Sequence, residues 1–364
     1  MAEQNRDIKK FVTRAILFAL PFLLVIFAEV IFLPIDAFTF RVWEAAEVGA
    51  LGKALLPGTY YPTLHIIKNE VGDLGPHTKY AVKRNVVWNT DQFGYRTENS
   101  TTTPEVVIVG DSTIVGTGLS QPDILSEVLQ KKTGLATYPL AASGIDQFLA
   151  SPRFINHPPK VVVLASIERS IVNTPMAPYS GLSGKLKTFV RDFAQTKFVA
   201  ALRPVTIFVD RLLKQNMYHY FKARIESVMV PSSLLVYNTP KPMLFLQGDA
   251  ANLPVPNTDT NRVAQSLKQL KILLAARGIR FIFLPVPDKE DIYWQYMPAK
   301  KQPIFLPQLI KELKANGVEV VDTQAIFSEE LAKNQTQLYQ TDDTHWNAAG
   351  VELTAEALAR MLKP

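Results

Sequence analysis

The chain has no cysteine. That excludes disulfides, thiolate metal sites and a cysteine nucleophile. It does not fix the compartment, because a chain of 364 residues can bury a core without covalent staples. Histidine is scarce too, with five in the whole sequence, so any histidine flanked by carboxylates carries weight. There is no arginine-rich run, no internal repeat and no low-complexity tract. The net charge of +6 is mild and argues against a nucleic-acid partner. Lipid head groups or a polyanionic glycan suit it better. Nothing calls for a cofactor or a metal. What is abundant is apolar surface: hydrophobic residues make up 47% of the chain, enough for a sizeable core.

The clearest local signal is N-terminal. Ala15 to Leu33, AILFALPFLLVIFAEVIFL, is about the length that crosses a bilayer core. Arg6, Lys9, Lys10 and Arg14 precede it. Positive charge on that side places residues 1–14 in the cytoplasm and the rest outside the cytoplasmic (inner) membrane, in the periplasm or its equivalent. The run exceeds an ordinary signal-peptide core and no small-x-small cleavage site follows closely, so a retained single-pass anchor is expected over 15–33. Glu29 sits inside it, either snorkelling to the interface or meeting another membrane protein.

Residues 34–103 carry turn signals such as LPGTYYP and VGDLGP without a strong helical period, and read as a stalk or lead-in that wraps onto the following domain. From 104 to 364 the pattern is α/β. EVVIVG (Glu105–Gly110), KVVVLAS (Lys160–Ser166), GIRFIFLPVP (Gly278–Pro287) and GVEVVD (Gly317–Asp322) read as buried strands. Helices alternate with them: one in QPDILSEVLQKKTG capped by Gly134, one from about Thr260 to Arg277, and a last one in AAGVELTAEALARML. That alternation predicts a parallel sheet covered on both faces. A basic helical insertion is expected over about 172–259, either a solvated face or a surface for membrane or an acidic polymer.

In such a sheet ligands bind at the carboxyl ends of strands. The first strand runs into VVIVGDSTIVGTG, which places Ser112 on the loop leaving it, after Gly110 and Asp111. Alone, Gly-Asp-Ser is an ordinary turn. A serine hydroxyl needs a base, and the base an orienting carboxylate. YQTDDTHWNAAG, before the last helix, offers His345 with Asp343 and Asp342 just upstream. Those aspartates could equally be helix N-caps. Both loops belong at one sheet edge, which pairs Ser112 with His345.

Together these blocks resemble the SGNH-hydrolase superfamily, and within it the alginate and polysaccharide O-acetyltransferase-like group. DTHW followed by NAAG, the Glu168–Arg169 pair in VVVLASIERS, LPVPDKEDIYW, and the lead-in stretches PGTYYP and NTDQFGYRTE carry the likeness. The resemblance implies a flavodoxin-like three-layer fold, with Ser112 as nucleophile, His345 as base and Asp343 as its orienting carboxylate; Asp342 is the alternative. It implies oxyanion donors at the Ser112 N–H and at Gly144. The usual third-block asparagine is missing here, so Arg169 either binds the oxyanion or pairs with Glu168. Trp346 stacks on a sugar or packs under the loop, and Lys289 and Tyr293 would line the cleft. The implied activity is O-acyl, specifically acetyl, transfer to an extracytoplasmic polysaccharide through an acyl-serine, with a multi-pass membrane-bound O-acyltransferase as donor. An esterase using the same residues, or a non-catalytic glycan-binding component of an export complex, are the alternatives.

Overall fold

The structure is a computed structural model that describes residues 2–32, 41–75, 78–98, 101, 103–173, 201–214, 234–238, 242–246, 257–297 and 300–363. The chain opens with α1 (Ala2–Phe32), which exposes Phe11, Phe18, Phe22, Leu23 and Leu24. Among the described residues, no helix is long and apolar enough to cross a membrane. The segment expected to span a membrane over Ala15–Leu33 is thus not shown by the described part of α1. Leu33 and the side chain of Glu29 lie outside the described residues.

The lead-in is more structured than its sequence suggests. It forms α2 (Val42–Ala46), α3 (Ala50–Leu55) and an antiparallel pair, β1 (His65–Glu70) with β2 (Arg84–Asn89). Tyr60, Tyr61, Val86 and Trp88 share one core with the following domain. Arg96 fixes the junction. Its guanidinium lies 3.9 Å over the Trp88 ring and donates to the carbonyls of Val87, Val115, Gly116 and Leu119 at 2.7 to 3.0 Å. Burial pushes this arginine down to about 10.

The main domain runs β3 (Val106–Gly110), α4 (Ser112–Val115), α5 (Leu125–Thr133), β4 (Thr137–Ala141), α6 (Ile145–Ala150), α7 (Pro152–Asn156), β5 (Val161–Ile167) and α8 (Glu168–Ile171). It continues through α9 (Arg203–Lys214), β6 (Leu234–Asn238), β7 (Pro242–Leu246), α10 (Asn257–Ala275), β8 (Arg280–Val286) and α11 (Lys289–Ile292). It ends with α12 (Phe305–Ala315), β9 (Glu319–Val320), α13 (Thr323–Asn334) and α14 (Ala348–Leu362).

The sheet order is β4-β3-β5-β8-β9, all parallel. In chain order that is second, first, third, fourth, fifth, the flavodoxin-like arrangement, whose switch point lies between the first and third strands. The alternation within each strand builds two cores. Val106, Ile108, Val163 and Ile282 face α5, α13 and α14, whereas Val107, Val109, Val162 and Phe281 face α6, α10 and α12. The expected α/β parallel sheet is present. β4 escaped the sequence reading because Pro139 interrupts it, and an edge strand tolerates that proline. The expected insertion is not wholly helical: β6 and β7 form an antiparallel pair, and much of its basic stretch lies outside the described residues.

Replacing Arg96 with methionine keeps much of the volume but strands four carbonyls. The expected loss of stability is about 2–4 kcal/mol by urea unfolding followed through tryptophan fluorescence. A change within experimental error would show that the junction does not depend on this side chain.

Candidate active site

β3 delivers Ser112 to the sheet edge. Gly110 is needed for space and not for an unusual φ: a Cβ there would lie 2.5 Å from Ile114 Cγ1. Asp111 caps the turn, accepting from Thr113 N at 2.9 Å, and its second oxygen accepts from Ile167 N at 3.1 Å. One carboxylate thus ties the serine turn to the end of the neighbouring strand β5, across the switch point. Ser112 itself is exposed.

The loop between α13 and α14 supplies His345. The cap of α14 is Asn347, whose side-chain oxygen accepts from Ala349 N and Gly350 N at 2.9 and 3.1 Å. The two aspartates are therefore released from capping. His345 Nδ1 donates to Asp343 Oδ1 at 2.5 Å, which leaves Nε2 to accept the Ser112 hydroxyl at 2.8 Å. Asp343 Oδ1 also accepts from His345 N at 2.9 Å. Burial pushes the imidazole down, but Asp343, its hydrogen bond and then Asp73 outweigh it, so His345 is held above its ordinary value. Burial likewise pushes Asp343 up, and the facing histidine overrides it, holding the carboxyl well below the usual range.

Asp342 turns the other way. It accepts from Gly72 N at 3.0 Å, from Val82 N at 2.7 Å and from the Arg84 guanidinium. Gly72 is held so close that a Cβ would lie 2.1 Å from Asp342 O. Asp342 is thus the anchor of the lead-in hairpin and Asp343 is the partner of the imidazole. The choice that spacing left open is made by side-chain direction.

Three further residues surround this pair. Asp73 accepts from Thr344 N and Thr344 Oγ1 at 3.0 and 2.9 Å, donates its own N–H to Asp343 Oδ2 at 3.0 Å, and places Oδ2 4.0 Å from His345 Nδ1. Burial, then the neighbouring Asp343, raises its pKa. Sequence reasoning missed it: in VGDLGP it has the look of any turn aspartate. Lys289 is buried and does not line a cleft. Its ammonium donates to the carbonyls of Leu244, Gln340 and Asp343 at 2.8, 2.6 and 2.9 Å, and burial pushes it down to about 8. Tyr293 is buried as well, its hydroxyl accepting from Leu338 N at 3.1 Å. Both belong to the scaffold beneath the histidine loop.

The other expected site residues divide. Gly144 caps α6, and Ser143 N donates to Gly110 O at 3.0 Å, so Gly144 shares the edge that carries Ser112. Arg169 pairs with Asp288, through its guanidinium and through its N–H at 3.0 Å, and not with Glu168. Burial, then Asp291, holds the Glu168 carboxyl well above its ordinary value. Trp346 is buried against Phe327 with ring centroids 6.5 Å apart, which rules out stacking on a sugar. Asp73, Asp343 and His345 bring ligand atoms within 4.8 Å of one another. Both imidazole nitrogens are already engaged there, so the set suits proton transfer better than a metal.

Three outcomes follow from this geometry. In an NMR titration the His345 imidazole is expected to change protonation above the ordinary value of 6.5. Asp73→Asn removes a negative charge that favours the protonated ring, so the midpoint should fall. Asp342→Asn should destabilise the hairpin while leaving that midpoint nearly in place. An unmoved midpoint in Asp73→Asn would remove Asp73 from the electrostatics of the site.

Residues 244–364 match the family model described as SGNH hydrolase-like domain, acetyltransferase AlgX. No curated protein matches. Among solved structures, the lipase/acylhydrolase from Enterococcus faecalis is 12% identical with a TM-score of 0.32, over 71% of this chain and 95% of that one. The last third of the chain is thus similar to an SGNH hydrolase-like domain; it carries Lys289, Asp343 and His345, while Ser112 comes from outside the matched span.

Proposed function

We propose that this chain is an O-acyltransferase that passes an acyl group, specifically acetyl, through Ser112 to a hydroxyl of an extracytoplasmic polysaccharide. The single observation that carries the reading is the continuous hydrogen-bonded relay from Ser112 Oγ through both nitrogens of His345 to Asp343. The family description for residues 244–364 supports acetyl transfer. Ser112 Oγ attacks the donor's acyl carbonyl as His345 Nε2 takes the hydroxyl proton. The donor's leaving group departs with that proton, and the acyl-serine remains. An acceptor hydroxyl then gives its proton to His345 and attacks the acyl-serine, and the proton returns to Ser112. Asp343 holds the imidazole in the required tautomer and stabilises its charged form. The Ser112 and Gly144 N–H groups are assigned to the developing oxyanion. Arg169 is engaged by Asp288 and is not assigned to the oxyanion.

Membrane attachment through residues 15–33, with the N-terminus inside and the domain in the periplasm, belongs to the same reading. It is supported by the basic residues before the apolar run and by the exposed apolar side chains of α1. The donor is then a multi-pass membrane-bound O-acyltransferase.

Intact-mass measurement of the detergent-purified chain after exposure to p-nitrophenyl acetate should show one acetyl adduct, mapping to Ser112. Ser112→Ala should show none, and Asp343→Asn should acylate about 10⁴-fold more slowly. With an acetyl donor and a glycan present, acetylated glycan supports transfer; free acetate alone would reassign the site to an esterase. Full glycan acetylation in cells carrying only Ser112→Ala would overturn the catalytic reading.

A further inference from the structure

The helix α9 presents a face that the site chemistry does not use. At 100° per residue, Val205, Phe208, Val209, Leu212 and Leu213 fall within an arc of about 140°. No charged side chain falls in that arc. Val205 and Leu213 are 58% and 63% exposed. The opposite side is locked to the protein. The Asp210 carboxylate accepts from Gly49 N, Gly52 N and the Tyr61 hydroxyl at 2.6, 2.9 and 2.8 Å, and Lys214 Nζ donates to the carbonyls of Glu44, at 2.6 Å, and Glu47.

Two observations say what covers the apolar side. The first is position. Phe208 meets Phe27 of α1 edge-on, with ring centroids 5.9 Å apart, so the two apolar surfaces run together. Phe27 lies five residues before the helix end at Phe32, about 7.5 Å of helical rise. That is the depth to which an interfacial helix buries its apolar face. The second is charge. Residues 185–224 hold nine lysines and arginines against Asp192 and Asp210, an excess larger than the net +6 of the entire chain.

We propose that α9 is an interfacial helix whose apolar face lies in the surface of an anionic bilayer beside α1, holding the Ser112 site at a fixed height above the membrane. The mechanical path is short. Asp210 and Lys214 join α9 to α2 and α3, Val42 N joins α2 to Glu70 of β1 at 2.9 Å, and Arg84 of β2 joins the hairpin to Asp342. A donor delivering its acyl group at the membrane would then find the serine at one set distance. The inference rests on attachment through residues 15–33, and the test separates the two.

Because the chain has no native cysteine, single cysteines can be placed in the full-length protein and spin-labelled. Labels go at Val205→Cys, Leu213→Cys, Phe18→Cys in α1, and Lys333→Cys on the exposed side of α13. The protein is reconstituted in vesicles of phosphatidylglycerol and phosphatidylcholine, and collision rates with oxygen and a water-soluble nickel chelate are compared. The labels at 205 and 213 should favour oxygen and lose nickel access relative to Lys333→Cys. That loss should shrink in phosphatidylcholine alone. Nickel access at 205 and 213 equal to that at Lys333→Cys overturns the inference, even where Phe18→Cys is lipid-exposed. Labels shielded from both reagents overturn it too, because protein then covers the face. Lipid exposure at 205 and 213 with an aqueous Phe18→Cys would support α9 at the interface and remove α1 from the membrane.

Discussion

Two adjacent buried carboxylates, turned in opposite directions, hold this molecule's working parts together. A buried carboxylate is tolerated only when its oxygens are satisfied. Asp342 meets that condition by binding backward to Gly72, Val82 and Arg84; Asp343 meets it by binding forward to His345 and Asp73 N. The same dipeptide therefore fixes the lead-in hairpin and aims the imidazole. From beneath, the Lys289 ammonium gathers the carbonyls of the loop, including that of Asp343. The histidine has little freedom left, which is the preorganisation that the proposed role as base calls for.

The sheet order puts the other half within reach. With β3 flanked by β4 and β5, the turn carrying Ser112 opens into the crevice at the switch point. Asp111 bridges that turn to Ile167 N, so Ser112 is referenced to the sheet and not to a free loop. The exposures differ: Ser112 is open to solvent, while His345 and Asp343 are buried.

Much of this was readable in the sequence. The unbroken β-branched runs of β3, β5 and β8 announce strands buried on both faces, and Gly134 does cap α5 in the left-handed conformation. Ser112 and His345 could be paired because each needs the other chemically. What was hidden depends on direction or on distance along the chain. Spacing cannot say which way Asp342 or Asp343 turns. Nor does it say that Arg169 reaches Asp288, or that Trp346 points inward to Phe327. Asp73 lies 270 residues from the loop it braces and carries no local mark. β9 was overestimated because only Glu319 and Val320 pair, although the apolar run around them is longer.

The separation between the two ends of the clamp also has a meaning in time. Gly72, Asp73 and Arg84 are synthesised well before Asp342 to His345, with Asp73 270 residues ahead of Asp343. During vectorial synthesis no chain that stops short of residue 345 holds both Ser112 and His345. The pairing of Ser112 with His345 is therefore a late event in folding, completed only when the 342–345 loop returns to the hairpin that Gly72 and Arg84 belong to.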